Sequence, residues 1–256
     1  MAGNVVLLLT HIYNERIREK FMRLRNELDS SDYDVVLLVN TDYSEYGMCR
    51  GVKHYVCGVE RLNALGYTPI SDTVVPGSSH YPLLAFYLDN KQYDYYWCIE
   101  YDVEFTGKWN VLMDAFREDE SDYIASHIER FNASVNGDWT WWRRNNNVGY
   151  SLDDCVKSFH PIYRCSKAAL SYLDEYQRKG VSAHSEVMMA TALYNAGYAV
   201  EDFGGDGEFV RQGNINRFYC GDGSVHGGTL RYRPLYSKDE LACSALSDML
   251  YHPLKL

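Results

Sequence analysis

The chain has 256 residues and a formal charge of −10, from 25 lysines and arginines against 35 aspartates and glutamates. With 46% hydrophobic and 23% charged residues it suits one large α/β domain or two small ones and excludes wholesale disorder. The acidic balance argues against a surface that wraps nucleic acid or lies on anionic lipid, because both need a cationic face.

Val5 to Leu9 is a continuous apolar run, the pattern of a strand buried on both faces of a parallel sheet. Ile17, Phe21, Leu24 and Leu28 then share one face of an amphipathic helix, and Val35 to Val39 repeats the buried-strand pattern. These elements read as β-α-β, which implies a parallel sheet joined by crossovers. Glycines and prolines interrupt residues 43–79, which are expected to form loops and short pieces. A helix is predicted from Pro82 to Leu88, then a strand at Tyr95–Ile99 running straight into Glu100-Tyr101-Asp102-Val103-Glu104. A helix from Asn110 to Arg117, a short strand at Tyr123–Ala125, a polar and aromatic loop at 138–147 and a strand at Phe159–Arg164 follow. Ser166 caps the next helix, which ends near Gly180, and a last helix from Ser185 to Ala196 stops at Gly197. No repeat or linker interrupts the chain, so a single domain over 1–256 is the simpler reading.

No stretch approaches the ~20 apolar residues that span a bilayer, and the first apolar run lacks the cationic flank of a signal peptide. Seven scattered cysteines form no C-x-x-C pair, which favours reduced thiols. The chain therefore reads as soluble, unprocessed and cytoplasmic. No G-x-G-x-x-G or G-x-x-x-x-G-K-[ST] is present, which removes dinucleotide oxidoreductases and P-loop enzymes as first choices.

The most informative segment is Trp97-Cys98-Ile99-Glu100-Tyr101-Asp102-Val103-Glu104-Phe105-Thr106-Gly107-Lys108-Trp109. In extended geometry Glu100, Asp102 and Glu104 project to one side, where three like charges need water or a cation. At the carboxyl end of a parallel strand the expected occupant is a divalent ion or a ribose hydroxyl, though the same alternation suits a solvated edge strand.

The β-α-β start, a middle strand ending in E-x-D and a later helix opened by an acid resemble the GT-A class of nucleotide-sugar glycosyltransferases. The string around Glu100 is also similar to an uncharacterised fungal and bacterial family of GT-A-related proteins with W-x-x-E-x-D-V followed by T-G-x-W. The resemblance implies a mainly parallel, twisted central sheet flanked by helices. Its nucleotide-binding half, Rossmann-like, would cover 1–105 and its acceptor-side half 106–256. It implies that Glu100 and Asp102 hold Mn²⁺ or Mg²⁺ against a nucleoside-diphosphate sugar, with a UDP-sugar as the working guess. Thr10 and His11 at the first strand's end, and Asp42 after the second, would meet the nucleotide, although polar side chains are expected at any such turn from strand to helix.

Two further segments carry the same resemblance. Glu186, at the start of a helix followed by Ala196-Gly197-Tyr198, stands where the class places the residue that serves the acceptor hydroxyl, although a carboxylate there also complements the helix N-terminus. His226, between Val225 and Gly227, stands where several members carry a third metal ligand, although a lone histidine in a glycine-rich loop is also an ordinary surface residue. Trp139, Trp141, Trp142 and Arg143 form a polar-aromatic loop suited to stacking on sugar faces, the alternative being a loop packed onto the domain. The expected function is a metal-dependent glycosyl transfer to a hydroxyl acceptor. A non-catalytic nucleotide-sugar or carbohydrate-binding module is the alternative, and a metal-dependent hydrolase or phosphotransferase a third.

Overall fold

The computed structural model describes residues 3–28, 32–41, 49, 51–144, 146–221, 227–242 and 246–255. A seven-stranded sheet with helices on both faces organises the molecule. In chain order the first elements are β1 (Asn4–Thr10), α1 (Glu15–Glu27), β2 (Tyr33–Val39), β3 (His54–Val56), α2 (Val59–Asn63), α3 (Tyr81–Asp89) and β4 (Tyr95–Glu100). They continue with β5 (Glu104–Phe105), α4 (Trp109–Ala115), β6 (Tyr123–Arg130), β7 (Val156–Ser166), α5 (Lys167–Arg178), α6 (Ser185–Asn195), β8 (Val200–Asp202), α7 (Lys238–Ala242) and β9 (Leu250–Tyr251). The sheet order is β3-β2-β1-β4-β7-β6-β8, and the pairings are parallel except where β7 lies antiparallel between β4 and β6. Strands from both halves of the sequence thus share one sheet. Among the described residues no helix is long and apolar enough to cross a membrane.

The alternation of strand side chains divides the interior into two cores. Val5 and Leu7 of β1 face the layer formed by α3, α5 and α6, while Val6 and Leu8 face the layer formed by α1 and α4. Asn14 caps α1, its side-chain oxygen accepting from the Ile17 amide at 3.0 Å, and Ser166 caps α5 through Ala169 at the same distance. Gly197, at φ 83°, ends α6 in the left-handed region.

Two features of the sheet place groups beyond the carboxyl end of β4. β7 has eleven residues, and its register of Ile99 with Ile162 leaves 156–161 overshooting β4. β6 is longer than its sequence pattern suggests because bulges break its register near Ser126, with His127 at φ 49°. A second, two-stranded sheet pairs β5 with β9, Glu104 opposite Tyr251 and Phe105 opposite Leu250.

The other end of the sheet is held by a buried ion pair. Arg164, 1% exposed, donates to the carbonyls of Phe116, Asp119 and Ser121 at 2.8, 2.8 and 2.9 Å and to the Asp119 carboxylate at 3.0 Å. An Arg164→Met variant takes the guanidinium donors from three carbonyls in the interior and leaves the Asp119 carboxylate to Arg211 at 2.8 Å and the Ser121 amide at 2.7 Å. It is expected to lose about 3–5 kcal/mol, read as a thermal midpoint lower by roughly 10 °C.

Candidate active site

The carboxyl ends of β1, β2 and β4 open onto two adjoining cavities of about 700 and 720 Å³, which share Val75, Ser79, Glu100, Tyr101 and Asp102 as their partition. The first lies over β1 and β2, and the second lies under the overshooting end of β7 and the start of α6.

The acidic segment does not run extended. β4 ends at Glu100, and a tight turn follows in which the Val103 amide donates to the Glu100 carbonyl at 3.0 Å. The three acids therefore do not share a face, a correction to the extended alternation expected from sequence. Glu104 turns toward α1, where Arg23 bonds its carboxylate and Lys20 Nζ lies 3.8 Å away. Glu100 and Asp102 stay at the partition between the cavities.

A histidine from far along the sequence joins them. Because β9 pairs with β5, His252 follows Tyr251 into the space beside the turn, and the Leu254 amide donates to the Asp102 carbonyl at 2.9 Å. His252 Nδ1 lies 2.9 Å from the Arg231 carbonyl, an acceptor, so Nδ1 carries a proton and Nε2 is the pole turned to the acids. Nε2 sits 3.6 Å from Glu100 Oε2 and 3.7 Å from Asp102 Oδ1, and the three candidate ligand atoms all lie within 4.8 Å of one another. Asp102 Oδ1 is buried without a hydrogen-bond partner. Burial pulls the His252 pKa down, but the carboxylates of Glu100 and Asp102 beside it outweigh that and leave the pKa raised. A proton on His252 thus holds the place of positive charge that the carboxylates require.

Glu186, in the first turn of α6, faces the second cavity with 16% of its side chain exposed. Burial, reinforced by the charge of Glu100, raises its pKa to about 8, with the His160 amide and Lys157 pulling the other way. His184 caps the helix, Nδ1 accepting the Glu186 amide at 3.3 Å and lying 3.6 Å from Glu186 Oε2. Burial lowers the His184 pKa to about 3, so this imidazole is a neutral acceptor.

The aromatic loop divides. Trp139 and Trp141 line the second cavity, and Trp141 stacks on His184 with ring centroids 4.3 Å apart. Trp142 is fully buried, with its indole N–H donating to the Asn136 carbonyl at 2.8 Å, and so belongs to the core rather than to a substrate surface. Arg143 reaches back to the Gly137 carbonyl at 2.8 Å and covers Phe131, away from the cavity wall, whereas its neighbour Arg144 lines it.

Thr10 and His11 line the first cavity. The Thr10 hydroxyl is engaged in its own turn, donating to the Ile12 carbonyl at 2.6 Å, while His11 meets Tyr101 edge-on at 5.0 Å. Asn40 and Thr41 continue the same wall at the end of β2. Asp42 and His226 lie outside the described residues.

Sequence reasoning found no pattern around His252, and none exists locally. Its place follows from the β5–β9 pairing, which joins segments with no shared motif.

No family model matches the sequence, so the likeness of the Glu100 string to one family stays a resemblance. No curated protein matches it either. Solved structures with a similar course of the chain include the galactosyltransferase LgtC in complex with donor and acceptor sugar analogues, at 11% identity and a TM-score of 0.47 over 78% of this chain and 74% of that one. The inositol-1-phosphate CTP transferase from T. maritima is similar at 12% identity and a TM-score of 0.43, over 79% of this chain and 84% of that one. Core-mannan synthase A from Aspergillus fumigatus, in its Mn/GDP form, is similar at 15% identity and a TM-score of 0.40, over 79% of this chain and 73% of that one.

Proposed function

We propose that the protein is a metal-dependent glycosyltransferase that moves a sugar from a nucleoside-diphosphate donor, with UDP as the first nucleotide to test, to a hydroxyl acceptor. The observation that carries this reading is the convergence of Glu100, Asp102 and His252 on the partition between two cavities, with Glu186 lining one of them.

The donor set fits a divalent cation. Two carboxylates and one imidazole whose Nε2 faces them, and would give up its proton to an incoming ion, suit Mn²⁺ or Mg²⁺, and Asp102 Oδ1 is a buried acceptor without a hydrogen bond. Such an ion supplies Lewis-acid neutralisation of the charge that develops on a departing diphosphate. The first cavity, with His11 and Tyr101 at a right angle on its wall, takes the nucleotide. The second takes the acceptor, with Trp139 and Trp141 as faces for a sugar ring.

The chain's own proton chemistry then falls to Glu186. As the acceptor oxygen bonds to the sugar's anomeric carbon and the bond to the diphosphate oxygen breaks, the hydroxyl proton passes to the Glu186 carboxylate. His184 holds the backbone of Glu186 in place, and its neutral state leaves the carboxylate free of a competing cation.

Calorimetric titration of UDP with and without Mn²⁺, followed by donor hydrolysis, tests the reading. UDP is expected to bind only with the ion, slow donor hydrolysis to follow, and His252→Ala to need at least roughly tenfold more Mn²⁺. Metal-independent UDP binding, or an unchanged Mn²⁺ requirement in the variant, would overturn it. Binding without hydrolysis would leave a non-catalytic module, and cleavage of the diphosphate by water to UMP and sugar 1-phosphate would indicate a hydrolase.

A further inference from the structure

The second cavity carries a charge asymmetry that glycosyl transfer by itself does not require. Apart from Glu100, Asp102 and Glu186, every charged side chain lining it is cationic: Arg144, Lys157, Arg233 and Lys255. The chain as a whole is at −10, so four cations without a further acid around one cavity run against the general trend of its surface. Lys157 is spent internally, since its Nζ lies 3.2 Å from Glu129 Oε1 and covers the Trp139 ring. The other three have no carboxylate within ion-pair distance among the described residues. Arg144 lies against Trp141, with its guanidinium carbon 5.5 Å from the ring centre, and Arg233 lies against Tyr232 at 5.8 Å. Each guanidinium is thus braced by an aromatic ring while its donors have no hydrogen-bond partner among the described residues, the arrangement in which arginine recognises phosphate or carboxylate in a bidentate manner.

We infer that the acceptor is an anionic sugar, bearing a phosphate or carboxylate that Arg144, Arg233 and Lys255 hold at the mouth of the second cavity while a hydroxyl on the same sugar reaches Glu186. This rests on the functional reading above, in which the second cavity receives the acceptor. A volume of about 720 Å³ accommodates one or two sugar rings with such a group. The acids are half-buried and Arg144, Arg233 and Lys255 exposed, so a molecule with a neutral hydroxyl end and an anionic end has one favourable orientation. The competing role for these cations, neutralising the donor's diphosphate, predicts a different response to mutation.

The test is calorimetry on the full chain loaded with Mn²⁺ and UDP, with glucose, glucose 6-phosphate and glucuronate, and the corresponding galactose and mannose series, as probes. At least one charged sugar is expected to bind tenfold or more tighter than its neutral parent. The Arg144→Ala/Arg233→Ala double variant, whose side chains are exposed and make no buried contact, is expected to lose that preference while its UDP affinity stays within twofold. The inference is overturned if charged and neutral sugars bind alike, if no charged sugar binds, or if the preference survives in the double variant. It is also overturned if the double variant loses UDP affinity, which assigns the cations to the donor. In each of these cases Mn²⁺-dependent UDP binding by the wild-type protein leaves the glycosyltransferase reading standing, whereas its absence brings down the reading itself.

Discussion

Replacing Asp102 by alanine is expected to abolish the rise in thermal midpoint that Mn²⁺ gives the wild-type protein and to slow sugar transfer by about a thousandfold. The rate follows from losing roughly 4 kcal/mol of stabilisation of the departing diphosphate, at about 1.4 kcal/mol per tenfold. The stability readout follows from linkage, since an ion at a hundred times its Kd adds about 2.7 kcal/mol to folding. The variant should fold, because the contact that docks the β9 segment uses the backbone carbonyl of residue 102 rather than its side chain. Without metal it should lose little stability, since Asp102 Oδ1 has no hydrogen bond and His252, 3.7 Å from it, keeps Glu100 at 3.6 Å. Glu104→Gln is the discriminating control. Glu104 is acidic and two residues away, but its partners are Arg23 and Lys20, so its Mn²⁺ response should match wild type. Equal loss of the response in both variants would show that general acidity of the segment, and not the site formed with His252, governs binding.

The contrast between these two acids marks how far the sequence could be read. Buried-strand runs at Val5–Leu9, Val35–Val39 and Tyr95–Ile99 were legible because strands covered on both faces must be apolar throughout, and the helix ends at Ser166 and Gly197 were legible because capping is local chemistry. The lengths of β6 and β7 were not, because their outer residues include Glu129, Arg130, Lys157 and Ser158, whose polarity reads as loop, and only Lys157 and Ser158 border a cavity. In the site, local information sufficed to single out Glu100, Asp102 and Glu186 as groups to locate, and the structure sets them around the second cavity. It could not separate Glu104 from its neighbours, since the turn at Tyr101–Asp102 that redirects it is closed by a backbone bond between Val103 and Glu100. Nor could it find His252, whose position depends on a pairing between β5 and β9. The tyrosines show the same limit. Of the 23, Tyr96 packs among Phe86, Tyr87 and Tyr93 in the core, whereas Tyr67, Tyr81 and Tyr101 border the first cavity, and nothing in their local sequence distinguishes the two groups.

Glu186→Gln is expected to separate stability from turnover. The Glu186 pKa is raised from its ordinary value of 4.5 to about 8, by burial first and by the charge of Glu100 second. Between those values the folded protein holds a proton that the unfolded chain has released, so the wild-type protein loses stability as pH rises from about 4.5 through about 8. A neutral glutamine of the same shape has no such dependence. The variant should therefore be more stable than wild type at pH 8, by on the order of 4 kcal/mol at about 1.4 kcal/mol per pKa unit, with the difference vanishing below pH 4.5. Transfer should fall by about 10²–10⁴-fold, the usual worth of a positioned general base. In the wild-type protein the rate should climb with pH as Glu186 ionises. Its midpoint should move below 8 when Mn²⁺ saturates the protein, because neutralising Glu100 removes the second cause of the shift while burial remains. Thermal melts of both proteins across pH 4 to 9, set beside a pH–rate profile at two Mn²⁺ concentrations, test each step. A glutamine variant less stable at pH 8, or a rate midpoint indifferent to Mn²⁺, would show that the carboxyl of Glu186 is not coupled to the acidic pair across the cavity.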